Sequence, residues 1–88
     1  AFTVEWVRPD GLWAGGAIAP GLGTSARALH DQTAQLPLVL PERAPRAALG
    51  TSTIPALEAG LFWGAVGTLR ELIERQKAQE PGPVWQVW

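Results

Sequence analysis

Proline placement limits where helices can form in this chain more than any other feature of its sequence. Pro37, Pro41 and Pro45 recur at intervals of four residues, and none of them has the backbone N–H that a helix interior requires. The stretch 37–45 is therefore predicted to be an extended connector that runs over a surface. Regular helices are confined to the segments before and after it.

A β-hairpin is predicted ahead of the connector. Apolar and polar side chains alternate over residues 2–7, as in a strand with one buried face. Residues 8–11 read Arg-Pro-Asp-Gly, a turn sequence in which proline presets φ and glycine accepts a positive φ. The return strand, residues 12–18, carries several glycines and alanines that are too small to fill a core. We expect another part of the protein to approach its backbone closely.

Apolar residues at intervals of three and four predict a first helix after the hairpin. Thr24 or Ser25 is a suitable N-cap, and the pattern continues to about Gln35.

A second and longer helix is predicted after the connector, starting at Ser52 or Thr53 and ending near residue 80. Pro55 falls in its first turn, where a missing N–H does no harm. The Pro-Gly-Pro sequence that follows stops the helix, and alternation over 84–88 indicates a last strand. The order β-β-α-α-β places the chain in the α+β (α/β) class.

Composition excludes several classes of function. Seven basic and eight acidic residues give a net charge of −1, which provides no electrostatic footprint for nucleic acid or an anionic membrane. Without cysteine there is neither a disulfide framework nor a thiolate metal site. No apolar stretch is long enough to predict a membrane span. At 88 residues the chain amounts to one small domain, and we expect it to be part of a larger protein.

Most of the conspicuous side chains have a structural explanation. His30 is the single histidine and lacks partners at metal-ligand spacing, so we interpret it as a surface residue. Glu71 and Glu74 are interpreted as part of a solvated, charge-paired helix face. No catalytic residue and no metal ligand is predicted within the chain. We predict core or interface packing for the five tryptophans, Trp6, Trp13, Trp63, Trp85 and Trp88.

Three glycines mark one side of the long helix. Gly60, Gly64 and Gly67 each cost helix stability, which predicts close packing against a second helix, either within the chain or across a dimer axis. Two further glycine-containing segments, 15–21 and 50–53, can each present backbone N–H groups to a ligand.

Taken together, the ordered blocks of the sequence resemble a known family. They are Asp10-Gly11, then Gly15-Gly16-Ala17-Ile18-Ala19-Pro20-Gly21-Leu22, then Ala28-Leu29 with Thr33-Ala34-Gln35-Leu36-Pro37, then Gly50-Thr51-Ser52-Thr53, followed by Gly60-Leu61 and Gly64. This series resembles the second half of a type III pantothenate kinase, also known as the Bvg accessory factor-like family.

The resemblance implies a fold and an activity. The chain would be a single partial domain, residues 1–88, from the C-terminal lobe of a kinase with the ribonuclease H-like, actin-like ATPase fold. The parent would be a cytoplasmic homodimer that phosphorylates pantothenate with ATP, the first step of coenzyme A biosynthesis, assisted by Mg²⁺ and a monovalent cation, K⁺ or NH₄⁺. The family's N-terminal lobe and flanking phosphate loops do not occur in these residues. The chain alone is therefore expected to be inactive.

The resemblance also implies site residues. Thr53 matches a family threonine that contacts pantothenate from the neighbouring protomer, and Gly50 would keep the backbone open beside it. Gly15, Gly16 and Gly21 would shape a loop near the site. Thr51 and Ser52 stand where the family usually has lysine and asparagine.

Two alternatives remain open from sequence. One is a non-catalytic dimerising or regulatory module, Bvg accessory factor-like, that kept this lobe without the phosphate loops. The other is a related actin-like-fold kinase that acts on a different small acid or sugar.

Overall fold

The structure, a computed structural model, describes residues 1–33, 35–80 and 85–87, the last three by their backbone alone. The chain forms two compact units. The first unit comprises Ala1–Ala19 and the chain from Gly67 onward, and the second comprises Pro20–Val66. The α+β class, with a hairpin and two helices, is confirmed. The assignment to an actin-like fold stays a prediction.

The first unit is built on an antiparallel sheet of three strands. They are β1 (Phe2–Val7), β2 (Trp13–Ala19) and β3 (Trp85–Val87), arranged in the order β2-β1-β3. Val4 lies at the centre, opposite Ala17 on one side and Val87 on the other. Positions 84 and 88 of the predicted last strand lie outside the described residues.

The predicted turn between β1 and β2 is confirmed. The Gly11 N–H donates to the Arg8 carbonyl at 2.9 Å, and the Leu12 N–H donates to Asp10 Oδ1 at 3.1 Å. Gly11 has φ of 87°, which glycine adopts without the steric cost that other residues pay. The hairpin is therefore closed by local sequence.

An irregularity follows directly after this turn. The register of the hairpin shifts between Trp6 and Val7, and Gly15, opposite Trp6, has φ of 135°. Residues other than glycine rarely adopt that φ. Glycine is therefore required at position 15, even though no atom would obstruct a Cβ there.

Helix α2 (Thr53–Gln79) runs from the second unit into the first, where its last turns pack on β1. Gln76 Nε2 donates to the Val4 carbonyl at 2.9 Å. Val4 and Trp6 are buried at 0% and 3% exposure, which makes this contact the core of the unit. Glu80, just after the helix, forms a salt bridge with Arg8.

The Arg8–Glu80 pair changes the pKa of Arg8, and this change affects the stability of the folded state only at strongly alkaline pH. The hydrogen bond that Arg8 donates to Glu80, and the negative charge of Glu80, raise the pKa of Arg8 above its ordinary value. A raised pKa on a base stabilises the folded state until the pH rises through that value. The pair therefore contributes no pH dependence near neutrality.

Helix α1 (Leu22–Asp31) is shorter and begins earlier than predicted. Gly21, not Thr24 or Ser25, is the N-cap residue, because the Ser25 N–H already donates to the Gly21 carbonyl at 2.9 Å. At the other end, Thr33 Oγ1 donates to the Leu29 carbonyl at 2.6 Å, and the Leu36 N–H donates to that same hydroxyl at 3.3 Å. Such local side-chain bonds compete with further helix, so α1 does not extend to Gln35.

The connector prediction is confirmed, since residues 37–45 contain neither helix nor strand. Pro55 lies in the first turn of α2, as predicted. The charged outer face of this helix is also confirmed: Arg75 bonds Glu71 at 2.8 Å, and Lys77 lies 3.7 Å from Glu74.

Two packing predictions are not met inside the described chain, and their interface alternatives stay predictions. Trp13 and Trp63 are 64% and 41% exposed, so alternation and helical spacing did not bury them. The glycine stripe has no neighbour among the described residues, since a Cβ built at Gly60, Gly64 or Gly67 would meet no atom within 4 Å. Packing of these glycines across a dimer axis stays a prediction. Across the described residues, no helix is long and apolar enough to cross a membrane.

A substitution pair tests the backbone argument. Gly15→Ala should lower the free energy of unfolding by about 1–3 kcal/mol, because alanine resists φ of 135°. Thr24→Ala should change it by less than about 0.5 kcal/mol, because Thr24 is exposed inside α1 and does not cap it. Chemical denaturation measures both. A Thr24→Ala loss near 1 kcal/mol would restore Thr24 as the N-cap.

Candidate functional site

The predicted substrate contact lies where α2 begins. Thr53 is the first residue of the helix and is exposed. The Ser52 carbonyl before it accepts the Ala56 N–H at 3.0 Å, which closes the first helical turn. Because Pro55 has no N–H, the helix start presents few competing donors of its own. Thr53 is an exposed residue at the first position of a regular element.

Gly50 is fixed by a close approach between two parts of the backbone. A Cβ at this position would lie 2.6 Å from the carbonyl carbon of Pro55, and closer still to the Ala56 nitrogen. Both of those atoms belong to the first turn of α2 and cannot give way as a flexible side chain can. Glycine at position 50 therefore lets the incoming chain fold against the start of the helix.

Two arginines that sequence analysis did not single out lie beside this segment. Arg43 and Arg46 line an open cavity of about 360 Å³ together with Gly50, Pro55 and Glu58. Two cations and one carboxylate give the cavity a positive balance that suits an anionic group. The sequence signal is the pair of arginines three residues apart, one in the proline-rich connector and one directly after it, a stretch that the proline pattern describes only as an extended connector.

The remaining predicted site residues are divided between the two units. Gly15 and Gly16 belong to β2, so they lie in a strand and not in a loop. A Cβ at Gly16 would come within 3.0 Å of the Val4 carbonyl oxygen and of Glu5 Cγ. Gly21 is buried at the start of α1. The geometry thus gives each of these three glycines a local role in the backbone.

The remaining histidine and acidic side chains do not form a reactive cluster in the described part of the chain. His30 is exposed, and its Nδ1 lies 2.8 Å from the Leu36 carbonyl, which confirms it as a surface residue with a structural contact. No three histidine, aspartate or glutamate side chains of the described residues gather to hold a metal ion.

Substitution of Gly50 tests the close approach. Gly50→Ala should lower the free energy of unfolding by about 1–3 kcal/mol, because the added methyl group collides with backbone that must move. Leu49→Ala is the matched control: its side chain is 86% exposed, so the change should be within about 0.5 kcal/mol. If chemical denaturation shows equal effects for the two variants, the approach is not a constraint.

Comparison with known proteins identifies relatives of the chain. The family model described as type III pantothenate kinase matches residues 1–75. The type III pantothenate kinases of Paramagnetospirillum magneticum and Roseobacter denitrificans are each 44% identical over 79 residues, which cover 90% of this chain and 30% of the relative. That of Phenylobacterium zucineum is 40% identical over 87 residues, 99% of this chain and 34% of the relative.

The chain thus spans about a third of the length of these curated relatives. The match nevertheless runs through the hairpin, helix α1, the connector and α2 as far as residue 75, a range that contains positions 50 and 53. This chain belongs to the type III pantothenate kinase family.

Proposed function

We propose that the protein containing this chain transfers the γ-phosphoryl group of ATP to pantothenate, forming 4'-phosphopantothenate for coenzyme A biosynthesis. The observation that carries the proposal is the family match over residues 1–75. Because the chain is about a third as long as its relatives, it is proposed to act as one partial domain of the C-terminal lobe and to be inactive alone.

Within that enzyme, the start of α2 is proposed to form part of the pantothenate pocket. Thr53 would donate or accept a hydrogen bond with the substrate from the neighbouring protomer of a homodimer. Its exposure and its place on a regular helix support this role, since a site held on a rigid element positions a substrate more precisely than a loop does. Gly50 supports it by allowing the chain to reach the helix start.

The positive charge of the cavity next to Gly50 supports an anionic substrate. Pantothenate carries a carboxylate, and the cavity next to Gly50 is lined by Arg43 and Arg46 against a single carboxylate, Glu58. Guanidinium groups bind carboxylates through parallel N–H bonds. We therefore propose that the two arginines, which lie a few residues before Thr53 in the sequence, attract the carboxylate of the substrate or bind it.

ATP, Mg²⁺ and the monovalent cation, K⁺ or NH₄⁺, are proposed to bind elsewhere in the parent protein. Mg²⁺ prefers oxygen ligands such as carboxylates, and no suitable group of three occurs among the described residues. When bound, these groups neutralise charge on the transferred phosphoryl. A cytoplasmic homodimer without nucleic-acid or membrane partners is the proposed setting.

A threonine series tests the assignment in the natural-length protein. Thr53→Ala should raise the KM for pantothenate about five- to ten-fold through loss of one hydrogen bond, with the KM for ATP unchanged. Thr53→Ser keeps the hydroxyl and should restore most of the affinity. Steady-state kinetics with each substrate varied separately measures both KM values.

Thr51→Ala is the matched control, because Thr51 is exposed two residues earlier and lies outside the helix. It should leave both KM values unchanged. Equal effects at Thr51 and Thr53 would remove the specific role of Thr53. A natural-length protein that binds ATP yet never phosphorylates pantothenate would contradict the kinase proposal and favour the non-catalytic, Bvg accessory factor-like alternative.

A further inference from the structure

The sheet of the first unit has one face that α2 covers and one face that the described residues leave open. Helix α2 packs on the face that carries Val4 and Trp6. Successive side chains of a strand point to opposite faces, so Thr3, Glu5 and Val7 of β1 lie on the other face. All three are half-buried at most.

Strand β2 contributes the largest apolar side chains of this second face. Cross-strand partners share a face, and Ile18 lies opposite Thr3 while Trp13 lies opposite Val7. Ile18 is 81% exposed and Trp13 is 64% exposed, so the described chain does not cover them. The open face is therefore defined by five residues: Thr3, Glu5, Val7, Trp13 and Ile18.

The irregularity of the hairpin selects tryptophan for the open face. Trp6 pairs with Gly15, so an unshifted ladder would place Ala14 opposite Val7. The register shift leaves Ala14 out of the ladder and pairs Val7 with Trp13 instead. An indole thus takes the place of a methyl group on this face. Its contact with water is unfavourable, and adjacent exposed apolar side chains of this kind are typical of a surface that another element covers.

The centre of the open face carries a carboxylate without a cation. Glu5 lies between the Thr3–Ile18 pair and the Val7–Trp13 pair. The salt bridges formed among the described residues involve other groups, and none includes Glu5. A segment that covers the face would remove water from this carboxylate. That removal is strongly unfavourable unless the segment brings a cation with it.

The length of the relatives indicates where such a segment comes from. This chain corresponds to 30% of one relative and 34% of another, so most of a protein of that length lies outside these residues. A segment of the same polypeptide is held near the face at a high effective concentration, which a separate molecule is not. The same polypeptide is therefore the favoured source.

We propose that an apolar segment of the parent protein, from outside residues 1–88, packs on the open face and brings a lysine or arginine that pairs with Glu5. Its apolar side chains contact Trp13 and Ile18. This interface is part of the scaffold, so it does not depend on the proposed kinase reaction, and its tests measure no activity.

A photoreactive benzoylphenylalanine in place of Ile18 identifies the occupant in the natural-length protein. Irradiation should join position 18 to a segment outside residues 1–88 of the same polypeptide. The product should keep the mass of one protomer, and peptide mass spectrometry locates the segment. The same group in place of Arg75 is the matched control, because that side chain is 80% exposed on the charged face of α2.

Three outcomes of the cross-linking overturn the proposal. A product with the mass of two protomers would assign the open face to a second copy. Cross-links confined to residues 1–88 would mean that this chain covers its own face. A yield at position 18 no higher than at position 75 would mean that the face stays in water.

A carboxylate substitution tests the charge of the occupant. In the natural-length protein, Glu5→Gln should lower the midpoint of thermal unfolding by at least about 5 °C, because it leaves a covered cation without its partner. Glu42→Gln changes an exposed carboxylate of the connector and should shift the midpoint by less than about 1 °C. An unchanged or raised midpoint in Glu5→Gln overturns the proposal. The cross-link still decides it where Glu5→Gln fails to fold.

Discussion

The hydrogen bond from Gln76 to the Val4 carbonyl joins the last turns of α2 to the central strand of the sheet, across 72 residues of sequence. The rest of the first unit depends on this contact. Val4 and Trp6 are buried beneath the helix, and Arg8 and Glu80 pair at its end. Gly16 fits the same arrangement, because a side chain there would crowd the carbonyl oxygen that Gln76 binds. Burial of apolar surface supplies the driving force, and the hydrogen bond specifies where along the strand the helix lies.

The start of α2 obeys a different constraint, the close approach of Gly50 to its first turn. This approach and the proline in that turn determine how the connector enters the helix and leave Thr53 exposed on its first residue. The connector and the residue after it also place Arg43 and Arg46 at the cavity next to Gly50. A segment that looks like a spacer in the sequence thus contributes charge beside the predicted substrate contact.

Some expectations failed because neighbouring structure outweighed local preference. Thr24 has the side chain of an N-cap, but the helix begins earlier, at Leu22, with Gly21 as its cap. Trp13 alternates as a buried residue would, yet the described chain leaves it 64% exposed. The glycines of α2 were expected to meet a second helix within the chain or across a dimer axis, and none of the described residues comes near them, which leaves only the dimer contact as a prediction. Periodicity shows which residues share a face, but not whether that face is covered.

The sequence alone determined what acts over a few residues: the hairpin turn, the helix-free connector, the proline in the first turn of α2 and its charged outer face. Each follows from φ restriction, alternation or i,i+4 spacing, which need no distant partner. Its ordered blocks also determined the family, which the match over residues 1–75 bears out. Only the tertiary structure decided the Gln76 and Glu80 contacts, the backbone approach at Gly50 and the cavity next to it. These depend on which residues, far apart in the chain, meet when apolar surface is buried, and no local pattern encodes that pairing.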